Sequence, residues 1–251
     1  MPRSGNGAVR SRTTAALSSL EMVKVEKHVR TVRSYVRREG RITDAQRRAL
    51  RELWPQYGVD LADEPFDFAA LFGRRAPVMF EIGFGNGEAL CELARTHPQN
   101  DYVGIEVYRP GIGSLLLKLE TLMLRNVRVV GDDAEHVFVE HVPADSLDAV
   151  YLFFPDPWPK KRHHKRRLIQ PDFVARVARS LRAGGCLHIA TDWQDYAEYA
   201  LAVASQTPKL ENTAGQHAYV PRPDERLLTR FERRGQALGH QVWDLVFRRV
   251  V

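Results

Sequence analysis

The densest chemistry in the chain is Pro155-Asp156-Pro157-Trp158-Pro159, followed at once by Lys160-Lys161-Arg162-His163-His164-Lys165-Arg166-Arg167. One carboxylate and one indole stand among three prolines, which fix φ and keep the stretch out of a helix. Beyond them comes a dense cationic run. An acid, an aromatic plane and a polycation together fit a site that handles a nucleobase beside a phosphate backbone. The cations Arg162, His163, His164, Lys165, Arg166 and Arg167 are expected on phosphates. Two roles are open to Trp158: a platform that stacks on a base, or an anchor for the loop. A proline-rich turn with a solvated charge run is the competing reading. It is disfavoured because the apolar run Val150-Tyr151-Leu152-Phe153-Phe154 leads straight into the stretch. That run is too short for a helix, reads as a buried strand, and puts Asp156 where open α/β sheets hold their ligands.

A second group of residues lies upstream. Gly83, Gly85 and Gly87 fall between a short apolar strand and a helical pattern, so backbone N–H groups there are free to face a ligand. A dinucleotide fingerprint needs its third glycine where this chain has Glu88, so a pyrophosphate is disfavoured. Glu81 precedes the loop, and a carboxylate repels phosphate but attracts a cationic amino group. Glu106 ends the second strand and is placed to accept two ribose hydroxyls. Asp133 ends the third and is placed to accept an adenine amino group. Three acids at three successive strand ends match S-adenosylmethionine, which carries an ammonium and a sulfonium and no phosphate.

The elements that must position these groups follow a regular βα alternation. Thr43 caps a helix with Gln46 in the capping-box position; that helix is expected to run to Trp54 and stop before Pro55. Phe66, Phe68, Leu71 and Phe72 are expected to dock this region on the main domain. Strands are expected at 78–82, 102–107, 127–130, 150–154 and 186–192. Helices are expected at 88–96, 112–124, 171–181 (ended by Gly184-Gly185) and 196–205. Two closing strands are read at 219–220 and 241–247. The pattern predicts an α/β fold with a mostly parallel, doubly wound sheet and a closing antiparallel strand. Three parts are expected: a disordered basic tail over 1–29, an N-terminal extension over 30–75, and the main domain over 76–251. The arginines and the tyrosine of the arm from Arg30 to Arg41 either grip phosphates or form a solvated face.

Composition bounds the partners. The 251 residues carry a formal net charge of +6, which favours an acidic partner such as nucleic acid. Cys91 and Cys186 lie far apart in apolar contexts and read as buried thiols, consistent with a cytoplasmic setting. The longest apolar run, Ile112 to Leu124, is broken by Lys118 and Glu120, so no membrane span is expected. His163 and His164 are adjacent, sit among cations and lack a carboxylate or thiol at ligand spacing, so no metal is expected.

The stretch from Pro155 to Arg167 resembles the hallmark of the bacterial tRNA (guanine-N7)-methyltransferases. Arg33-Ser34-Tyr35-Val36-Arg37-Arg38, Glu81-Ile82-Gly83-Phe84-Gly85-Asn86-Gly87, Ala190-Thr191-Asp192 and Thr229-Arg230-Phe231-Glu232 are similar to that family as well. Arg230 stands where the family commonly has lysine, and the charge is kept. The resemblance runs from about Arg30 to the C-terminus. It implies a Rossmann-like class I methyltransferase that moves a methyl group from S-adenosylmethionine to N7 of a variable-loop guanosine in tRNA. It implies cofactor roles for Glu81, Gly83, Gly85, Gly87, Glu106, Asp133 and Asp156, and substrate roles for Lys160, Asp192, Thr229, Arg230, Phe231 and Glu232. A monomer or homodimer is expected.

Guanine N7 carries a lone pair and no proton, so its methylation needs no general base. Positioning and electrostatics must supply the rate. Asp156 is the expected catalytic anion, acting on the guanine, on the cofactor or on both. The alternatives are a methyltransferase for another RNA or for a protein, and a non-catalytic RNA-binding protein on the same fold. A nicotinamide-dependent dehydrogenase is the most distant, because of Glu81 and Glu88.

Overall fold

The structure, a computed structural model, describes residues 34–35, 40–228, 232–233, 235, 239 and 241–251. The expected tail, most of the basic arm and the site residues Thr229, Arg230 and Phe231 lie outside the described residues.

Eight strands form one sheet in the order β1-β4-β3-β2-β5-β6-β8-β7. These are β1 (Gly58–Val59), β2 (Val78–Ile82), β3 (Asp101–Ile105), β4 (Val127–Val130), β5 (Leu147–Phe153), β6 (Leu181–Thr191), β7 (Leu210–Asn212) and β8 (Trp243–Arg249). All pairs from β1 to β6 are parallel, and β8 closes the sheet antiparallel to both β6 and β7. β2 pairs with β3 on one side and β5 on the other. The winding reverses there, which opens a crevice at the carboxyl ends of the strands.

The helices are α1 (Asp44–Glu52), α2 (Trp54–Tyr57), α3 (Phe68–Phe72), α4 (Glu88–Thr96), α5 (Arg109–Leu122), α6 (Ala134–Glu140), α7 (Pro171–Ser180) and α8 (Gln194–Gln206). One core packs Phe80, Val150, Leu152 and Leu187 against Phe138, Phe173 and Val177. A second packs Tyr102, Val127 and Val129 with Leu90, Leu93, Leu115 and Leu119. Phe66 and Phe68 meet Phe80 at 6.3 and 5.8 Å between ring centroids, which seats the N-terminal region on the sheet.

Several boundaries differ from the expectation. Thr43 and Gln46 close the capping box, but α1 ends at Glu52 and Pro55 sits in the first turn of α2 instead of stopping a longer helix. α5 starts at Arg109, because Pro110 fits its first turn. α7 ends at Ser180, and Leu181 already pairs with Leu147, so Gly184-Gly185 interrupts the strand instead of capping the helix. The register shifts there, and a Cβ on Gly185 would meet the Arg182, Leu147 and Asp148 carbonyls at 2.9–3.1 Å. Val220 forms only an isolated bridge to Asp244, and the true partner of β8 at the edge is β7. The short elements β1, α3, α6 and β7 carry too few residues to show a period.

Candidate active site

Five carboxylates reach the carboxyl edge of the sheet: Glu81 from β2, Glu106 beyond β3, Asp133 beyond β4, Asp156 beyond β5 and Asp192 beyond β6. Their environments separate them. Glu81 is 3% exposed, and its Oε2 has no hydrogen-bond partner. Burial, with Glu106 second, pushes its carboxyl up to about 8. An unpartnered buried acid is costly unless a ligand completes it, and a cation would restore its ionised form. Glu106 is built in the opposite way. Its Oε1 accepts from Val107 N (2.8 Å) and Tyr108 N (3.0 Å), and its Oε2 from Gly85 N (3.0 Å). Burial raises its pKa, three backbone N–H groups oppose the rise, and the Asp156 carboxylate adds to it.

That loop is held open by its backbone. Gly83 and Gly85 have φ of 70° and 57°, a region costly for any residue with a Cβ. From the other side α5 presses close: a Cβ on Gly111 would lie 2.3 Å from the Gly85 carbonyl oxygen. Asp133 caps α6, accepting from Glu135 N at 3.0 Å. These groups fit S-adenosylmethionine: Glu81 keeps a buried, unpartnered carboxyl oxygen for an ammonium, whose charge would favour the ionised form.

Asp156 is exposed. The loop around it turns twice through left-handed backbone, at Phe154 (φ 53°) and Trp158 (φ 47°), conformations that persist only when their surroundings enforce them. Phe154 N donates to the Ala190 carbonyl at 2.7 Å. Trp158 is an anchor. Its indole N–H donates to the Ser34 carbonyl at 3.1 Å, the Arg166 guanidinium lies 5.0 Å from its ring centre, and His163 meets it edge-on.

The cationic run folds into a 3₁₀ helix over Lys161–Arg166. Lys160, Lys161, Arg162 and Lys165 are exposed, and His163, His164 and Arg166 are half-buried. Desolvation and the surrounding Arg162, Arg166, Lys160 and Lys165 hold His163 below its ordinary pKa, so the positive charge comes from lysine and arginine.

Arg167 is a correction. It was expected on RNA phosphates, but it is 2% exposed. Its Nε donates to the Pro157 carbonyl at 2.9 Å, its guanidinium pairs with Asp195, and Tyr196 and Tyr199 lie 4.8 and 5.4 Å from it. It staples the proline loop to the start of α8. Glu232, which the resemblance implies for the substrate, is 2% exposed, and Arg226 donates to both its oxygens at 2.7 Å. Asp192 is half-buried beside Trp193, whose N–H donates to Thr191 Oγ1.

Sequence reasoning missed Arg226, Asp244 and His188. His188 Nε2 lies 2.8 Å from Asp244 Oδ1, and Arg226 Nη2 donates to Asp244 Oδ2 at 3.0 Å. No spacing rule links residues 188, 226, 232 and 244; β6–β8 pairing brings His188 to Asp244, and Arg226 bridges Asp244 to Glu232. Among the described residues, no group of three or more His, Cys, Asp or Glu side chains is placed to hold a metal ion, and no helix is long and apolar enough to cross a membrane.

Comparison with known proteins matches residues 75–245 to a family model described as a putative methyltransferase. A tRNA (guanine-N(7)-)-methyltransferase of Alkalilimnicola ehrlichii is 57% identical over 222 residues, 88% of this chain and 93% of the relative. One from Hydrogenovibrio crunogenus is 50% identical over 226 residues, 90% of this chain and 94% of the relative. Among solved structures, the 16S rRNA methyltransferase KamB aligns with a TM-score of 0.52 at 16% identity, covering 86% of this chain and 97% of that one. An antibiotic-related methyltransferase aligns at 0.50 and 17% identity, covering 77% and 96%. These two share the fold.

Proposed function

The chain belongs to the tRNA (guanine-N(7)-)-methyltransferase family, and on that premise we propose that it methylates N7 of a variable-loop guanosine in tRNA, in the cytoplasm. S-adenosylmethionine, when bound, supplies an electrophilic methyl group. The observation that carries the reading is the place of Asp156: exposed just beyond β5, the strand that pairs with the one carrying Glu81, and four residues before Lys160, where the cationic run begins.

The division of labour follows from chemistry. Glu81 is the carboxylate for the ammonium group, and its ionisation is favoured by that contact. Glu106 and Asp133 set the ribose and adenine ends while holding the loop and α6. N7 is unprotonated at neutral pH, so no side chain has to remove a proton from it. Methylation leaves positive charge on the purine. The carboxylate of Asp156 stabilises that charge as it grows, and Asp192 is the partner acid on the next strand. Lys160, Lys161, Arg162, Lys165 and Arg166 hold phosphates, and the base must leave its stack to reach the crevice. The exposed rim is a strip along one edge of the crevice, which suits a backbone that passes across the site.

The test is direct. The protein is incubated with S-adenosylmethionine and unmodified tRNA, and the nucleosides are identified by mass spectrometry. 7-Methylguanosine in the variable loop is the expected product; methylation only at another atom or another RNA would overturn the reading.

A further inference from the structure

Arg226 is 3% exposed and joins three separate parts of the chain. Its two Nη atoms grip Glu232 at 2.7 Å each. Nη2 reaches Asp244 Oδ2 at 3.0 Å, and Nε lies 2.6 Å from Asp244 Oδ1, so β8 holds it from beneath. Asp244 is steadied in turn by His188 on β6 at 2.8 Å. The guanidinium face lies 5.6 Å from the ring centre of Phe154, the left-handed residue two places before Asp156. Burial disfavours its charge, yet Glu232 and Asp244 outweigh burial and hold its pKa above the ordinary value. A planar fork satisfies two carboxylates and covers a ring at once, which an ammonium cannot do.

We propose that Arg226 is a positioning residue for methyl transfer: it fixes the Glu232 carboxylate against the loop that carries Asp156. The two acids are 76 positions apart in sequence (232 minus 156), and this guanidinium touches both Glu232 and the Phe154 ring of that loop. Arg226 acts through the groups that it holds in place. This inference rests on the guanine-N7 reading above.

The test compares wild type with Arg226→Lys, Glu232→Gln and the double variant. Circular dichroism, S-adenosylmethionine affinity by calorimetry, and kcat and KM for tRNA are measured for each. The lysine variant is expected to keep its fold and its cofactor affinity, while kcat/KM for tRNA drops about tenfold or more, because small misplacements at a reacting centre are costly. The double variant is expected to be no worse than the poorer single, since the two side chains act as one unit. Full activity in Arg226→Lys, or losses that multiply in the double variant, would overturn the proposal. Should the lysine variant fail to fold, Asp244→Asn takes its place, loosening the pair from β8; unchanged tRNA kinetics there overturn it equally. A wild-type protein that makes no 7-methylguanosine removes the premise, whereas an active wild type with an indifferent lysine variant removes Arg226 alone.

Discussion

The two halves of the crevice solve opposite problems. On the β2–β3 side, acids meet backbone: Glu106 spends its oxygens on three N–H groups, and Glu81 keeps one oxygen unpartnered in a buried place. On the β5–β8 side, arginines meet acids and rings. Arg167 and Arg226 are buried and paired with acids, while the exposed cations are left to a partner. One half keeps an unpartnered carboxyl group for a small ligand. The other uses internal charge to shape a loop and external charge to hold a large ligand.

The largest expected effect tests where the halves meet. Asp156→Asn should lower the single-turnover rate of tRNA methylation by about 10²–10³-fold, the cost of losing an aligned electrostatic group. Cofactor affinity measured alongside should change far less. A cofactor loss as large as the rate loss would move Asp156 wholly to the β2–β3 half. Next is the contrast between neighbours. Arg167→Ala should cost about 2–3 kcal/mol in urea unfolding, because the loop loses its buried staple; the exposure of Asp195 keeps the figure below that of a fully buried pair. Arg166→Ala should leave stability within about 0.5 kcal/mol and make tRNA binding less salt-dependent. Equal stability losses would erase the distinction between inner and outer arginines.

The remaining effect sharpens the other half. Glu81→Gln should weaken S-adenosylmethionine binding by about tenfold, near 1.4 kcal/mol. Its pH signature is more telling. The folded carboxyl titrates near 8, above its ordinary value, so the free protein loses stability as pH rises from the carboxylate range through about 8. A ligand ammonium favours the ionised form, so wild-type affinity should climb with pH up to about 8, and the glutamine variant should show neither trend. Calorimetry across pH checks both.

The legible parts share a cause. Strands and helices long enough to show a period stood out, and acids at strand ends follow from the rule that ligands gather there. Glu106 and the loop were readable because the chain places them locally. Arg167 was not. It is one of six Lys and Arg side chains in a run of eight, and only the rings of Tyr196 and Tyr199, some thirty positions on, single it out. The pairing of Glu232 with Arg226 was hidden for the same reason, since Arg226 is held in turn by Asp244 on the last strand. Pro55 and Gly184-Gly185 are punctuation marks whose meaning depends on the side from which the next element starts.

Gly111 extends the reach of the ligand site. Contact between its Cα and the Gly85 carbonyl leaves no room for a methyl group. Helix α5 therefore acts as a mould for a loop that it precedes in neither sequence nor chemistry. In a survey of random variants this position would score with the ligand-binding residues, although it offers no functional group of its own. Tolerance to change here is set by shape alone.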